Sequence, residues 1–423
     1  MSPQDDGTTD EPVNREPPAE QLVQSFLTPS KSHDASGEPE AYDRNHGPIQ
    51  HIDASTHKVT IRSEQSNLMK SSDVPPEGID VTLSMDDLRR RFAQHTVTCA
   101  LQCAGNRRHE VRSRVKEVTG VDWGDGAVMN AAWTGPLLRD ILIDQGLNVK
   151  SDLKYHDGLH VQMECNATKV QDDEWYGSSV PLGMVMDPER EVVLALDMNG
   201  SPLPARHGAP VRAIIPGVIG ARSVKWLDTI VISAQESQNH YQQHDYKVLP
   251  PEATSPEKAE DLGVWDKTPA MQDNPINSVV ALPSHDGDEL RRDGNGRVRI
   301  AGYAIPQGKG GPVERVQVSI DRGETWKDAT VLDDGDENTT HPANKGKERG
   351  KFSWVLWEVE IEIDTTTATT TTTTKATNDT IDIWSKATDR AGNTMDEENP
   401  KGNWNLRGVG YNAVQGRINI KIV

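Results

Sequence analysis

Residues 96–109 read TVTCALQCAGNRRH. The run 96–103 is apolar and β-branched, as in a strand. Cys103 therefore stands where a strand gives way to a loop, with Arg107 and Arg108 close behind it. Upstream, IDVTLSM (79–85) reads as a second strand and DDLRRRFAQH (86–95) as a helix, with Asp86 expected to cap it by accepting orphan backbone N–H bonds. Downstream, GPLLRDILIDQG (135–146) places Leu137, Leu138, Ile141 and Leu142 on one helical face and stops at Gly146. Short apolar runs at 192–196 and 211–215 follow, and then SVKWLDTIVISAQ (223–235), which reads as a buried strand. Residues 41–250 are thus expected to form a mixed, α+β domain.

The texture changes after about Pro250. Pro-rich spacers (LPPEATSPEKAE, 249–260) lead into segments that alternate with period two, such as Val355, Trp357, Val359, Ile361 and Ile363 against Leu356, Glu358, Glu360 and Glu362. RVRIAGYAI (297–305), VERVQVSIDRGETW (313–326), DTIDIWSKATD (379–389) and GRINIKIV (416–423) supply more strands, so residues 260–423 are expected to be an all-β sandwich. The low-complexity TTTATTTTTTK (365–375) reads as a solvated loop between strands. Residues 1–40, rich in Pro, Asp, Glu and Ser, read as a disordered acidic tail with neither a secretory core nor a basic presequence.

A chain of 423 residues fits two domains of ordinary size. Its net charge of −20 argues against a nucleic-acid binder, and no apolar run approaches the roughly 20 residues of a membrane span. Cys99, Cys103 and Cys165 are too few for a disulfide framework and form no CxxC, which fits a reducing compartment, the cytoplasm.

Against that acidic background three cationic islands stand out. Residues 198–227 contain Arg206, His207, Arg212, Arg222 and Lys225 and no acidic residue; Arg107 and Arg108 follow Cys103; Arg44 and His46 lie in DRNHGP (43–48). Guanidinium forks match oxyanions, so together the islands point to one anionic ligand with several oxygens. Scattered surface ion pairs would account for each island taken alone. Most free cysteines are inert core residues, but a thiolate among cations suits nucleophilic or soft-metal chemistry. No local signature supports a cysteine protease.

RNHGP (44–48), QCAGNRR (102–108) and HGAPVRAIIPGVIGARSVKWLDTI (207–230), in that order and spacing, resemble the molybdopterin domain of the sulfite oxidase and plant-type nitrate reductase family. SIDRGETW (319–326), ATDRAGN (387–393) and WNLRGV (404–409) resemble the family's immunoglobulin-like dimerisation domain, so the likeness covers residues 42–423. The resemblance implies a molybdopterin-binding α+β domain followed by an immunoglobulin-like sandwich, and a Mo-molybdopterin cofactor with Cys103 as the protein's metal ligand. It implies that Tyr42, Asp43, Arg44, Asn45, His46, His207, Arg212, Ser223, Val224 and Lys225 hold the pterin and its phosphate, and that Arg44, Arg108, Arg407 and Trp123 grip the substrate oxyanion. The implied reaction is oxidation of sulfite to sulfate by a homodimer without nucleic-acid or membrane partners. A haem-binding HPGG segment and a flavin module are not present in the sequence, so electrons would pass to an external acceptor, dioxygen in plant-like relatives. Leu196 in ALDMNG is read as replacing a family tyrosine whose hydroxyl points at the reacting oxygen. A pterin-contacting aspartate is missing from ECNAT (164–168), with Asp172 or Asp173 as substitutes. The alternatives are a related molybdenum enzyme of the nitrate reductase type, or a cofactor-holding protein with impaired chemistry.

Overall fold

The strand that leads to Cys103, Gln94–Gln102, pairs antiparallel with Val128–Pro136, Val97 facing Trp133 and Gln102 facing Val128. A computed structural model describes residues 12–29, 41–64, 78–147, 158–332, 350–363 and 380–423. Cys99, Ala100 and Leu101 are all buried, because this strand is covered on both faces and carries a continuous apolar run rather than an alternating one. Asp197–Met198 and Ser201–Pro202 complete its four-stranded sheet. A second, five-stranded sheet runs in the order Asp80–Ser84, Lys58–Ser63, Thr229–Ser233, His160–Cys165, Tyr176–Pro181. Thr229–Ser233 is parallel to Lys58–Ser63 and antiparallel to His160–Cys165, so the sheet is mixed.

The helices are short. Met85–Arg90 is capped by Ser84, not by the expected Asp86. The Ser84 hydroxyl accepts from the Asp87 N–H at 3.1 Å while the Asp87 carboxylate accepts from the Ser84 N–H at 2.9 Å, satisfying two orphan donors reciprocally. Asp86 lies exposed in the first turn and pairs with Arg90 at 2.7 Å. Leu138–Asp144 buries Leu138, Ile141 and Leu142 and ends at Gly146, whose φ of 89° lets Leu147 N–H reach back to the Leu142 carbonyl at 3.0 Å. None of the helices among the described residues is long and apolar enough to cross a membrane.

From Asn277 onward the structure is β. One sheet runs in the order Asn277–Leu282, Arg297–Ile305, Val355–Glu362, Thr330–Leu332. The other runs in the order Glu289–Leu290, Gln415–Ile422, Thr380–Asp389, Val313–Ser319, Lys327–Asp328. Their inner faces share one core, to which Val298, Ile300, Trp357 and Val359 contribute from the first and Val316, Val318, Ile383 and Ile420 from the second. The Glu358 and Glu360 side chains face outward, where Arg299 meets Glu358 at 2.8 Å. The Thr-rich stretch 365–375 lies outside the described residues.

The expected tail needs correction over residues 12–29. Val13–Arg15 pairs antiparallel with Asp43–Asn45, and Ala19–Leu22 is a helical turn. The Glu16 carboxylate accepts the N–H groups of Gly124 and Gly126 at 2.9 and 2.8 Å. Leu22 packs with Ala100 and Val128 on one side and with Val279, Tyr303 and Trp354 on the other, so the segment straps the two domains together. Average polarity hid a compact apolar set, Ala19, Leu22, Val23 and Phe26, that is enough to pin a short segment onto existing surface. The Pro-rich spacer also holds a helix, Pro256–Leu262, with Ser255 as N-cap, Pro at its start and Gly263 in the left-handed conformation at its end.

Candidate functional site

The loop after Gln102 is held from three directions. Cys103 N–H donates to the Ala127 carbonyl at 2.9 Å, and the Asn106 N–H closes a turn onto the Cys103 carbonyl at 3.0 Å. Asn106, buried, accepts from Ala127 N–H at 3.0 Å and donates to the Tyr303 hydroxyl of the second domain at 2.8 Å. Arg107 then adopts a left-handed φ of 66° before the helix Arg108–Arg114. Such a conformation costs a non-glycine residue roughly 1–3 kcal/mol and persists only where its surroundings over-determine it. They do: the Arg107 guanidinium bonds Glu110 at 2.6 Å, Asn277 at 2.9 Å and the Ala413 carbonyl at 2.9 Å.

Cys103 opens on a cavity of the first domain. Arg44, Arg212 and Lys225 line it, and no carboxylate does. Asp43 lies behind the wall, fully buried, and receives the Lys225 ammonium at 2.6 Å. The remaining two Lys225 hydrogens go to the Asn45 side chain and the Arg206 carbonyl, each at 2.7 Å. Burial pushes the Lys225 pKa down to about 8 in spite of Asp43. Arg212 donates to the carbonyls of His207 and Ser223 at 3.0 and 2.9 Å, and burial lowers its pKa to about 10. Arg212 Nε is a buried donor without a hydrogen-bond partner on this wall, which suits a polar, anionic occupant, whereas Asp43 Oδ2 behind the wall faces the Arg206 guanidinium at 3.4 Å.

Tyr42, Tyr176 and Tyr246 bring phenolic hydroxyls to the cavity, beside the hydroxyls of Thr168 and Ser223. Burial raises all three phenols, so they are neutral donors at physiological pH. Tyr246 Oη lies 2.8 Å from His46 Nε2, and the Tyr246 backbone is left-handed, with φ of 57°. Trp226, on the same wall, is left-handed too, with φ of 52°. Two bulky aromatic residues held this way beside one cavity are the pattern of a functional site.

Residues 46–241 match the oxidoreductase molybdopterin binding domain model, and residues 268–422 match the Mo-co oxidoreductase dimerisation domain model. The sulfite oxidase of Arabidopsis thaliana is 34% identical over 401 residues, 94% of this chain and 89% of that protein. The chain belongs to the sulfite oxidase family. The mitochondrial sulfite oxidase of Rattus norvegicus is 36% identical over 414 residues, but the chain spans only 64% of its length. The fold also matches the sulfane dehydrogenase SoxCD of Paracoccus pantotrophus, with a TM-score of 0.63 at 20% identity, over 98% of this chain and 84% of that one.

Among the residues that the sulfite oxidase likeness points to, Tyr42, Arg44, Asn45, His46, Cys103, Arg212, Ser223 and Lys225 meet at the cavity. Asp43 and His207 stand behind it as buried supports, the His207 pKa pushed down to about 3 by burial. Val224, between Ser223 and Lys225, has its side chain in the core, its carbonyl accepting the Ala213 N–H at 2.9 Å and its N–H bonded to the Arg222 carbonyl at 3.2 Å. Trp123 does not reach the cavity; it packs edge-on against Tyr42 at 5.7 Å. Arg108 and Arg407 form an adjoining pair. Arg108 donates to the carbonyls of Arg407 and Val121 at 3.0 and 2.7 Å, and Arg407 pairs with Asp245 while its Nε is unpartnered. Gly105 makes room for Arg108, because a Cβ there would stand 2.3 Å from its guanidinium.

Leu196 is 2% exposed, within the hydrophobic core, and does not line the cavity. Asp173 is consumed by the Asn239 side chain and the His240 N–H, and Asp172 by the Tyr241 hydroxyl. Tyr176, Tyr246 and Gln171 were not foreseen. The signal for Tyr246 was present in HYQQHDYK (240–247), a cluster of ring side chains between two polar segments.

Proposed function

We propose that the chain oxidises sulfite to sulfate with a molybdenum-pterin cofactor and passes the electrons to an external acceptor, dioxygen in the simplest case. One observation carries this reading: a cysteine stands at a cavity lined by three cationic side chains and no carboxylate, in a protein of net charge −20. Cys103 would hold the metal, and Arg44, Asn45, Arg212 and Ser223 the anionic parts of the pterin, with His46 behind Arg44; when bound, the group supplies two-electron oxygen transfer to sulfur. The protein's own part is electrostatic and positional. Arg44, with the adjoining Arg108 and Arg407, offers fixed positive charge to the oxyanion, and Asp43 fixes Lys225 and so the strand that carries Arg44. Tyr246, not a residue at 196, supplies the pocket hydroxyl. The second domain takes the immunoglobulin-like, dimer-forming role, and three buried free cysteines fit a cytosolic setting.

The test is sulfite-dependent acceptor reduction, with nitrate as the competing substrate. Wild-type protein is expected to turn over sulfite and Cys103→Ser to lose turnover by at least about three orders of magnitude while keeping its fold. Full activity in Cys103→Ser, or turnover of nitrate alone, would overturn the reading.

A further inference from the structure

The hydrogen bonds around His46 have a direction that distances alone do not state. A guanidinium has donors only, and Arg44 Nη2 lies 2.9 Å from His46 Nδ1, so that nitrogen must accept. Burial first, and the Arg44 charge second, hold the His46 pKa well below its ordinary value, so the ring is neutral. A neutral imidazole that accepts on Nδ1 carries its proton on Nε2. Nε2 is 2.8 Å from Tyr246 Oη and therefore donates to it. The Tyr246 hydroxyl has one hydrogen, which the His46 side does not use. Among the described residues no other protein group is bonded to that oxygen, and Tyr246 lines the cavity.

We propose that Arg44 and His46 form a positioning relay that turns the Tyr246 hydroxyl proton into the cavity, presenting Tyr246 as a donor before any oxyanion binds. This deepens the proposed sulfite reading and rests on it for the identity of the oxyanion. Arg44 has a double duty in consequence. The second Nη2 hydrogen goes to Gln171 at 2.7 Å and one Nη1 hydrogen to the Asn45 carbonyl at 3.1 Å, which fixes the guanidinium plane. Nε–H and the other Nη1–H stay available for the ligand. The ring of His46 is held by Tyr241 at 4.0 Å and Tyr176 at 5.4 Å, so it does not swivel to trade its two nitrogens. The reverse tautomer would set an N–H of His46 against an N–H of Arg44 and leave both unsatisfied in a buried site. A donor aimed in advance is the arrangement that costs no reorganisation when charge develops on the ligand.

Nitrogen NMR of the holoenzyme labelled with ¹⁵N-histidine, with His46→Gln supplying the assignment, reads the tautomer directly and without turnover. At pH 7, Nδ1 is expected to give a pyridine-type signal and Nε2 a pyrrole-type one. A pyrrole-type Nδ1, or a doubly protonated ring, would overturn the relay, as would an unchanged single tautomer in Arg44→Met. Kinetics give a second readout. Glutamine can still accept from Arg44 and donate to Tyr246 whereas leucine can do neither, so His46→Gln should retain about tenfold more kcat than His46→Leu, with KM moving less. In a Tyr246→Phe background the two should become equal. Equal losses with Tyr246 intact would leave His46 a packing residue only. The predicted tautomer together with no sulfite turnover would reject the functional reading and keep the relay.

Discussion

Arg107 and Arg108 are neighbours in sequence and belong to opposite kinds of environment. Arg107 enters the junction between the domains, where Glu110, Arg114, Arg417, Asp125 and Asp286 form a network in which every described cation meets a carboxylate. Arg108 turns the other way, toward Arg407 and the cavity with Arg44 and Arg212, where carboxylates are scarce and buried donors stand unpartnered. The first cluster is matched in charge as it stands, although Arg114 Nε is buried without a partner. The second is balanced only with an anionic ligand in place. Two adjacent arginines thus separate stability from function, and the discriminating feature is how many carboxylates each one meets.

Four substitutions or titrations probe that division. Glu110→Ala should have the largest effect on folding, because it strands Arg107 in a buried site; breaking such a pair costs roughly 3–5 kcal/mol. Denaturant unfolding should report this loss while the fraction still folded keeps its turnover number. A stability change under about 1 kcal/mol would mean that the junction tolerates unmatched charge after all. Tyr246→Phe should act on turnover first, lowering kcat about a hundredfold, with a stability loss of about 1–3 kcal/mol because the buried His46 Nε2–H loses its acceptor. Retained kcat would remove the hydroxyl from the site.

Leu196→Tyr comes next. Tyrosine is larger and polar, and the site is core, so a loss of about 1–3 kcal/mol is expected with no gain in sulfite turnover. A rise in kcat would return position 196 to the pocket. The smallest effect is acid sensitivity. Burial opposes ionisation of Glu110, but Arg107, Arg114 and Arg417 outweigh it and hold its pKa below the ordinary 4.5. Between those two values the unfolded chain binds more protons than the folded one, so stability is present above pH 4.5 and is lost as pH falls through the folded value. Glu110→Gln should flatten the melting-temperature profile below that pH; an identical slope would assign the acid transition to other carboxylates.

Much of this was legible in the sequence. Period-two alternation placed the strands around Trp357 correctly because one face of that sheet meets a single core. The motifs of the cationic islands located Arg44, Cys103, Arg212 and Lys225, which the fold does bring together. What escaped was what depends on direction and on distant partners. Nothing local separates Arg107 from Arg108, since the deciding carbonyls at 413 and 407 lie some three hundred positions away. Tyr246 reaches His46 across 200 positions and only through a left-handed backbone, so no periodicity announces it. Residues 12–29 read as solvated because composition averages over a segment, whereas Leu22 and Phe26 need only two neighbouring surfaces to dock on.

X-ray absorption at the molybdenum edge tests the centre of this picture most directly. Protein purified from a host that assembles the pterin should contain molybdenum in roughly equimolar amount, with one fewer sulfur ligand in Cys103→Ser than in the wild type. Metal-free protein, or a sulfur count that does not change on removing the Cys103 thiol, would contradict it.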